Sequence, residues 1–175
     1  MKSARSSAFF FLLSLSGCSV LFGQVKPIEE KSVNPVTRNR PDEAAGWIRL
    51  ETVSSAQTHT DIPDAAWQSP TSSAVISINS VCRASGGEDL LGVTRSLLSQ
   101  WDRLEVHSEK SVKAGGFPAL ETTASGAYSG QRRKFRILIV KSPTCTYDLV
   151  YVSPPESFDQ ELSVFERFRD NLVLK

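Results

Sequence analysis

Few residues of this chain have the types and spacing that catalysis or metal binding requires. It contains two histidines, His59 and His107, and no His-x-x-x-His or Cys-x-x-Cys motif, so we expect no metal site. The chain after residue 17 also lacks Gly-x-Ser-x-Gly and Ser-x-x-Lys, two spacings typical of activated serine nucleophiles. The sequence therefore predicts a protein that is not an enzyme and needs no cofactor.

The surroundings of the two histidines favour structural roles. His59 and Asp61 could form a hydrogen-bonded pair, but their turn-rich segment is more typical of a solvated loop. His107 follows a predicted helix, where its side chain would interact with the carbonyl groups at the helix C-terminus.

The one concentrated basic run is at residues 131–136. A strand here places Arg132, Lys134 and Arg136 on the same side, because side chains of a strand alternate between its two faces. Such a cationic surface could bind anionic lipid headgroups, lipopolysaccharide or an acidic protein partner. The alternative is a solvent-exposed face whose charges keep a hairpin soluble.

Trp67 is the second candidate for a binding surface. It stands between Pro63 and Pro70, in a segment typical of a loop. An exposed loop tryptophan can anchor a partner or a ligand. The alternative is that the indole covers the edge of the core.

The cysteines fall into one near the N-terminus, Cys18, and two that are far apart, Cys82 and Cys145. Cys82 ends one predicted strand and Cys145 begins another, so a structural disulfide is geometrically reasonable in an oxidising compartment. Two free thiols are the alternative. A redox-active pair is disfavoured, because such cysteines usually lie close together in sequence.

Hydrophobic patterns predict the elements that must position these residues. The predicted strands cover residues 47–53, 74–82, 119–128, 131–141 and 145–152. Short turns join the last three strands, which predicts an antiparallel meander. In its middle strand Phe135, Ile137 and Ile139 face one side and Leu138 and Val140 the other, so we expect both faces to be covered.

Two segments have helical periodicity. An apolar stripe that includes Trp101 and Leu104 predicts a helix over residues 88–104. A second helix follows Ser157, which with Gln160 is typical of a capping box. This order of elements predicts an α+β fold, an antiparallel sheet with helices packed on it, as a single domain over residues 46–175.

The N-terminus carries the features of a secretory signal at residues 1–17. A positive start is followed by an apolar run, too short to span a bilayer, and then by small residues. Leu15–Cys18 resembles the lipobox of bacterial lipoproteins, which implies that Cys18 is acylated and becomes the new N-terminus. Ser19 after it implies the outer membrane rather than the inner one. Residues 18–45 are predicted to be the lipidated cysteine and a flexible tether.

Residues 46–175 resemble the PsbP-like family of small α/β sandwich domains. The resemblance depends on the order of elements and on Gly115–Ala119, which is similar to the Gly-x-Pro-Ala entry to the long hairpin of that family. It implies the fold and no particular activity, because the family has no shared catalytic residues.

Composition and motifs together predict a binding protein. The 20 Lys and Arg against 19 Asp and Glu give a charge of +1, which argues against a nucleic-acid partner. We expect a non-catalytic, lipid-anchored protein of the cell envelope, facing the periplasm, that binds another envelope protein or a small ligand. The alternative is a lipid-handling accessory of an envelope transport system. That alternative requires an apolar cavity among Leu90, Leu97, Trp101, Ile137, Ile139, Leu149 and Phe165.

Overall fold

The computed structural model describes residues 46–51, 63–82 and 89–174, which form a seven-stranded antiparallel sheet with a helix on each face. The elements in chain order are β1 (Ile48–Leu50), β2 (Ala65–Gln68), β3 (Val75–Cys82), α1 (Leu90–Leu98), β4 (Asp102–Ala114), β5 (Phe117–Tyr128), β6 (Gln131–Lys141), β7 (Cys145–Ser153) and α2 (Phe158–Asp170). The strands lie in the order β1-β2-β3-β7-β6-β5-β4. The predicted α+β fold is confirmed.

Strand β6 has a buried apolar surface on both sides. Phe135, Ile137 and Ile139 pack in a cluster that includes Leu98 of α1, and we call this face of the sheet the α1 side. Leu138 and Val140 pack in the cluster that contains the core residues of α2, and we call this face the α2 side. The expectation that the middle strand of the meander is covered on both faces is confirmed.

Helix α1 is shorter than predicted. Its first turn is capped by Asp89, whose carboxylate accepts a hydrogen bond from the Gly92 amide at 2.6 Å. The helix ends at Leu98, and Trp101 stacks on Phe135 with 4.5 Å between ring centroids. Leu104 lies in β4 and is 39% exposed, so the prediction that the helix extends to residue 104 is wrong. Trp101 continues the apolar period because it covers the same α1 side from the following loop.

Strand β4 was not among the predicted elements. It is a 13-residue edge strand, and most of its side chains are exposed on both faces. An edge strand that buries neither face has no need of alternating apolar residues, so its sequence carries no periodic signal. His107 lies in this strand, and its predicted position at a helix C-terminus is therefore wrong.

Strand β2 occupies the segment that was predicted to be a loop. Trp67 pairs with Ile76 of β3, is 3% exposed and meets Phe168 edge-on at 5.4 Å between ring centroids. A side chain buried in this way belongs to the core and cannot anchor a partner. The prediction that Trp67 is part of a binding surface is wrong, and the alternative that it covers the edge of the core is closer to its position.

Helix α2 begins where it was predicted, with a different cap. The Ser157 hydroxyl is 2.8 Å from the Ser153 hydroxyl and makes no hydrogen bond that caps the helix. The side-chain amide of Gln160 donates to the backbone carbonyl of Glu156 at 3.4 Å. The predicted capping box is therefore absent. Phe158, Val164, Phe165 and Phe168 fix the helix instead, since all four side chains are buried against the sheet.

Gly115 and Gly116 form the two-residue turn between β4 and β5. Their φ angles of 55° and 86° lie in the left-handed region, which β-carbons disfavour and which tight hairpin turns require. The Gly115–Ala119 motif thus does open a long hairpin, as the resemblance implies.

The predicted disulfide is confirmed. Cys82 and Cys145 are directly opposite each other in the β3–β7 ladder, with their Cα atoms 4.0 Å apart. The sequence separation is 63 residues, so the bond closes all of the chain between β3 and β7 into one loop.

We predict that replacing both Cys82 and Cys145 by serine lowers the free energy of unfolding by about 4 kcal/mol, because the unfolded chain regains the entropy of an open loop. Urea unfolding of the variant and of the wild type would measure the difference. Wild-type protein under reducing conditions is the control and should lose the same amount. Equal stability of oxidised and reduced wild type would contradict the prediction.

We also predict that the buried Tyr151 makes the fold sensitive to alkali. Its hydroxyl donates to the Phe158 carbonyl at 2.9 Å, and burial raises the pKa of this phenol to about 12. The folded state therefore favours the neutral phenol, so this stabilisation is complete below about pH 10 and is lost between about pH 10 and about pH 12.

The Tyr151→Phe variant tests this. It should lose about 1 kcal/mol near neutral pH, because the hydrogen bond to Phe158 is removed. Its free energy of unfolding should fall less than that of the wild type between about pH 8 and about pH 11. Parallel losses in the two proteins would show that Tyr151 does not carry the alkaline sensitivity.

Candidate functional site

A polar pocket of about 310 Å³ opens on the α2 side of the sheet, where β4, β5 and β6 lie next to one another. Its lining residues are Arg103, Glu105, Ser125, Gly126, Ala127 and Arg132. The pocket lies beyond Lys134, the β6 residue next to the start of α2, so the helix leaves it uncovered. It combines Arg132, near the start of the predicted basic run, with residues of β4 that the sequence did not single out.

Irregularities in β4 shape this pocket. The pairing of β4 with β5 shifts register between Asp102 and Glu105 and again between Val106 and Ser108. Arg103, within the first shift, has a φ of 50°, a left-handed conformation that is rare for residues other than glycine. Bulges of this kind redirect side chains at the edge of a sheet. Arg103 lies within the first of these bulges, and its side chain lines the pocket.

Gly126 allows the beginning of β4 to lie close against β5. A β-carbon at this position would lie 3.1 Å from Cβ of Trp101 and 3.2 Å from the carbonyl oxygen of Asp102. Both distances are tighter than nine in ten observed contacts of a β-carbon. A larger residue would push the 101–102 segment outward and change the floor of the pocket.

His107 and Ser125 form a polar wall beside the pocket. The second register shift leaves His107 without a paired residue in β5, and its Nε2 atom lies 2.9 Å from the Ser125 hydroxyl. Nδ1 of the same ring is 3.7 Å from Glu105, whose side chain is 70% exposed. This is the order of nucleophile, base and carboxylate found in hydrolases, but 3.7 Å is too long for a hydrogen bond that would orient the ring.

The three cations of the predicted basic run do lie on one side of β6, but their surroundings differ. Lys134 lies 3.5 Å from Asp159 and 4.4 Å from the centre of the Phe158 ring. Arg136 lies 3.0 Å from Glu166 and also donates to the Thr123 hydroxyl. Helix α2 therefore supplies a carboxylate to each of these two cations.

Arg132 is the member of the run that faces the pocket without such a partner. Within residues 46–51, 63–82 and 89–174, no carboxylate forms an ion pair with Arg132 or with Arg103. The sequence identified Arg132 through the basic run. It gave no signal for Arg103, because that residue reaches the site through a bulge in a strand that was itself not predicted.

The apolar cavity required by the lipid-handling alternative is not formed by the predicted residues. Leu90, Leu97, Trp101, Ile137 and Ile139 belong to the cluster on the α1 side. Leu149 and Phe165 belong to the cluster on the α2 side. The sheet separates the two groups, so these residues cannot line one cavity.

The described residues contain no candidate metal site, because no group of three or more His, Cys, Asp or Glu side chains among them could hold a metal ion.

None of the helices in the described part of the chain is long and apolar enough to cross a membrane. Cys18, His59 and the predicted tether lie outside the described residues.

Sequence comparisons find no matching protein-family model and no significant match among curated proteins. Solved structures do match the fold. LpqN, a protein of Mycobacterium tuberculosis involved in cell envelope biogenesis, is 15% identical and aligns over 72% of this chain and 76% of its own with a TM-score of 0.52. CyanoP, the cyanobacterial PsbP of Synechocystis, is 13% identical and aligns over 70% of this chain and 78% of its own, also with a TM-score of 0.52.

The fold is PsbP-like. A Pseudomonas aeruginosa protein of unknown function, PA94, matches over 74% of this chain and 83% of its own with 15% identity and a TM-score of 0.48. At these identities the PsbP-like fold is what the chain shares with LpqN and CyanoP, and the pocket residues have to be interpreted from their own chemistry.

Proposed function

We propose that this PsbP-like protein is a non-catalytic accessory of the cell envelope, anchored by acyl chains on Cys18, that binds an anionic group of an envelope component. The observation that carries the proposal is the contrast among cations on the α2 side. Lys134, Arg136 and Arg169 each lie within 4 Å of a carboxylate. Arg103 and Arg132 share a pocket and have no such partner among the described residues.

Two guanidinium groups beside a hydroxyl suit a carboxylate or phosphate group. A guanidinium presents a planar set of N–H donors that matches two oxygens of such an anion at once. The Ser125 hydroxyl lies in the same lining, and when His107 Nε2–H donates to it, its own O–H can donate a further hydrogen bond to the anion. Glu105 reduces the local positive charge and favours a ligand that also carries a donor or a cationic group.

Several features support a location in the cell envelope. Leu15–Cys18 resembles a lipobox, and two or three acyl chains hold a protein on a membrane where one would not. The Cys82–Cys145 disulfide is typical of an oxidising compartment such as the periplasm. LpqN, which shares the fold, is involved in cell envelope biogenesis. We propose a periplasm-facing protein and, from Ser19, the outer rather than the inner membrane.

We predict that Cys18→Ser abolishes incorporation of radiolabelled palmitate and releases the protein from the membrane fraction, because serine lacks the sulfur on which the acyl anchor is built. The readouts are labelling and fractionation of cells that express the full chain. The Ser19→Ala variant is the control and should stay labelled and membrane-bound. Labelling of Cys18→Ser equal to that of the wild type would disprove the anchor.

We predict that the pocket contacts an envelope component in living cells. A photo-crosslinking residue at Glu105, whose exposed side chain lines the pocket, should capture a discrete product that mass spectrometry identifies. The same residue at Ile48, 58% exposed on β1 at the opposite edge of the sheet, should capture none. Combining Arg103→Gln with Arg132→Gln should lower the yield at Glu105 by about tenfold or more, since each lost charged hydrogen bond weakens binding by at least about tenfold.

Arg133→Gln is the matched control. Arg133 neighbours Arg132 in sequence, but its guanidinium donates to the side chain of Gln131 and to the Arg132 carbonyl. Its loss should leave the crosslink unchanged. Equal loss in the two variants would indicate general electrostatic attraction, and an unchanged yield in the double variant would disprove the pocket. A lipid rather than a protein in the product would identify the anion as a headgroup.

A further inference from the structure

Strand β4 forms one edge of the sheet and has an open side. In the described part of the chain it pairs with β5 alone, so the backbone N–H and C=O groups on its other side have no strand partner. The strand is 13 residues long, and most of its side chains are exposed. An edge of this length is a template for pairing with another strand unless the protein blocks it.

The two halves of this edge differ. The bulged half, residues 102–107, contains both register shifts and would resist regular pairing. In the other half, Ser108–Ala114, each residue opposes the next one along β5 without interruption. The open edge is therefore a regular segment of seven residues centred on Ser111.

The charges of this segment are complementary to a second copy of itself. In an antiparallel pair of identical strands, residues that face the same side of the sheet lie opposite each other. With Ser111 on the two-fold axis, Glu109 of each copy lies opposite Lys113 of the other. Opposite charges at such positions stabilise the pairing.

The neighbouring registers lack this complementarity. Lys110 on the axis would place that lysine opposite its own copy, and Glu109 on the axis would do the same for the glutamate. Like charges directly opposite each other are destabilising. With Val112 on the axis, Glu109 would lie opposite Gly115, which is in the turn. Only the register centred on Ser111 uses the whole regular segment and places Glu109 opposite Lys113; Lys110 then lies opposite Val112.

We propose that the protein forms a homodimer through β4, with Ser108–Ala114 of two copies paired antiparallel around Ser111. The occupant of the edge is a second copy, because the segment is complementary to itself in one register. The dimer would extend the sheet of each copy into that of the other. Its axis is perpendicular to the sheet, so both Arg103–Arg132 pockets would open on the same face. This inference is independent of what the pocket binds.

Cysteine crosslinking of the full chain in the bacterial envelope tests the proposal. The Ser111→Cys side chains would face each other across the axis, with Cβ atoms about 5 Å apart and within reach of a disulfide after a small adjustment. Ser108→Cys is the matched control, since its two copies would be about 20 Å apart along the strands. The parent chain, in which Cys82 and Cys145 are already bonded, sets the background.

Mild oxidation and non-reducing electrophoresis should give a covalent dimer for Ser111→Cys and only background for Ser108→Cys. Adding Glu109→Lys to Ser111→Cys should lower the dimer yield by about tenfold, because both charge pairs become repulsive. Adding Lys113→Glu as well should restore the yield, which also shows that these variants fold. The Arg103→Gln and Arg132→Gln changes should leave it unaffected.

Three results would overturn the inference. Ser111→Cys at the background level would show that the edge is not paired in this way. Equal yields from Ser111→Cys and Ser108→Cys would indicate random collision of copies on the membrane. A yield that does not respond to the two charge changes would rule out the register centred on Ser111.

Discussion

The structure depends on burying the interior strand β6 on both of its faces. Side chains of a strand alternate, so a strand covered on both sides needs apolar residues at consecutive positions, as at residues 137–140. Each of these buried side chains contributes about 1.5–3 kcal/mol when removed from water. One helix cannot cover both faces, which requires α1 on one side and α2 on the other. Every polar residue of β6 must then lie outside the area that a helix covers or find a partner on that helix.

This requirement explains how the cations are distributed. Arg136 and Lys134 lie on the α2 side just beyond the buried residues of β6, where α2 presents Glu166 and Asp159 to them. Glu121 of β5 pairs in the same way with Arg169 of α2 at 2.8 Å, and the Glu121 side chain is 11% exposed. Hydrogen bonds to Asp170 and Glu121 raise the pKa of Arg169 above its usual range. The helix thus neutralises the charges that it covers, and Arg132 beyond it remains available.

The sequence predicted the elements whose burial leaves a periodic pattern. The meander β5–β7, strand β3 with its buried Ile76 and Ile78, and the phenylalanines of α2 were all recognisable, because alternation or helical spacing follows directly from which face is buried. Strand β4 was not recognisable, since neither of its faces is buried along most of its length. Its absence from the prediction also lengthened α1 and left Arg103 out of the candidate site.

The position of Trp67 could not be predicted for a different reason. Its flanking prolines indicate where regular structure is interrupted, but they carry no information about which side chain the chain packs inward between them. The partner that buries it, Phe168, is about a hundred residues away. The contact between His107 and Ser125 could not be predicted for a similar reason. These two side chains meet only because of a bulge, and a bulge depends on the pairing of two strands rather than on the sequence of either one.

The contact between Gly126 and Trp101 links the two faces of the sheet. Gly126 lines the pocket from the α2 side, while Trp101 lies against its Cα from the α1 side and stacks on Phe135. The floor of the pocket is therefore a single layer of backbone with an indole ring directly behind it. A group that enters the pocket changes the electric field at that ring across one peptide thickness, which makes Trp101 a built-in optical sensor of whether the pocket is occupied.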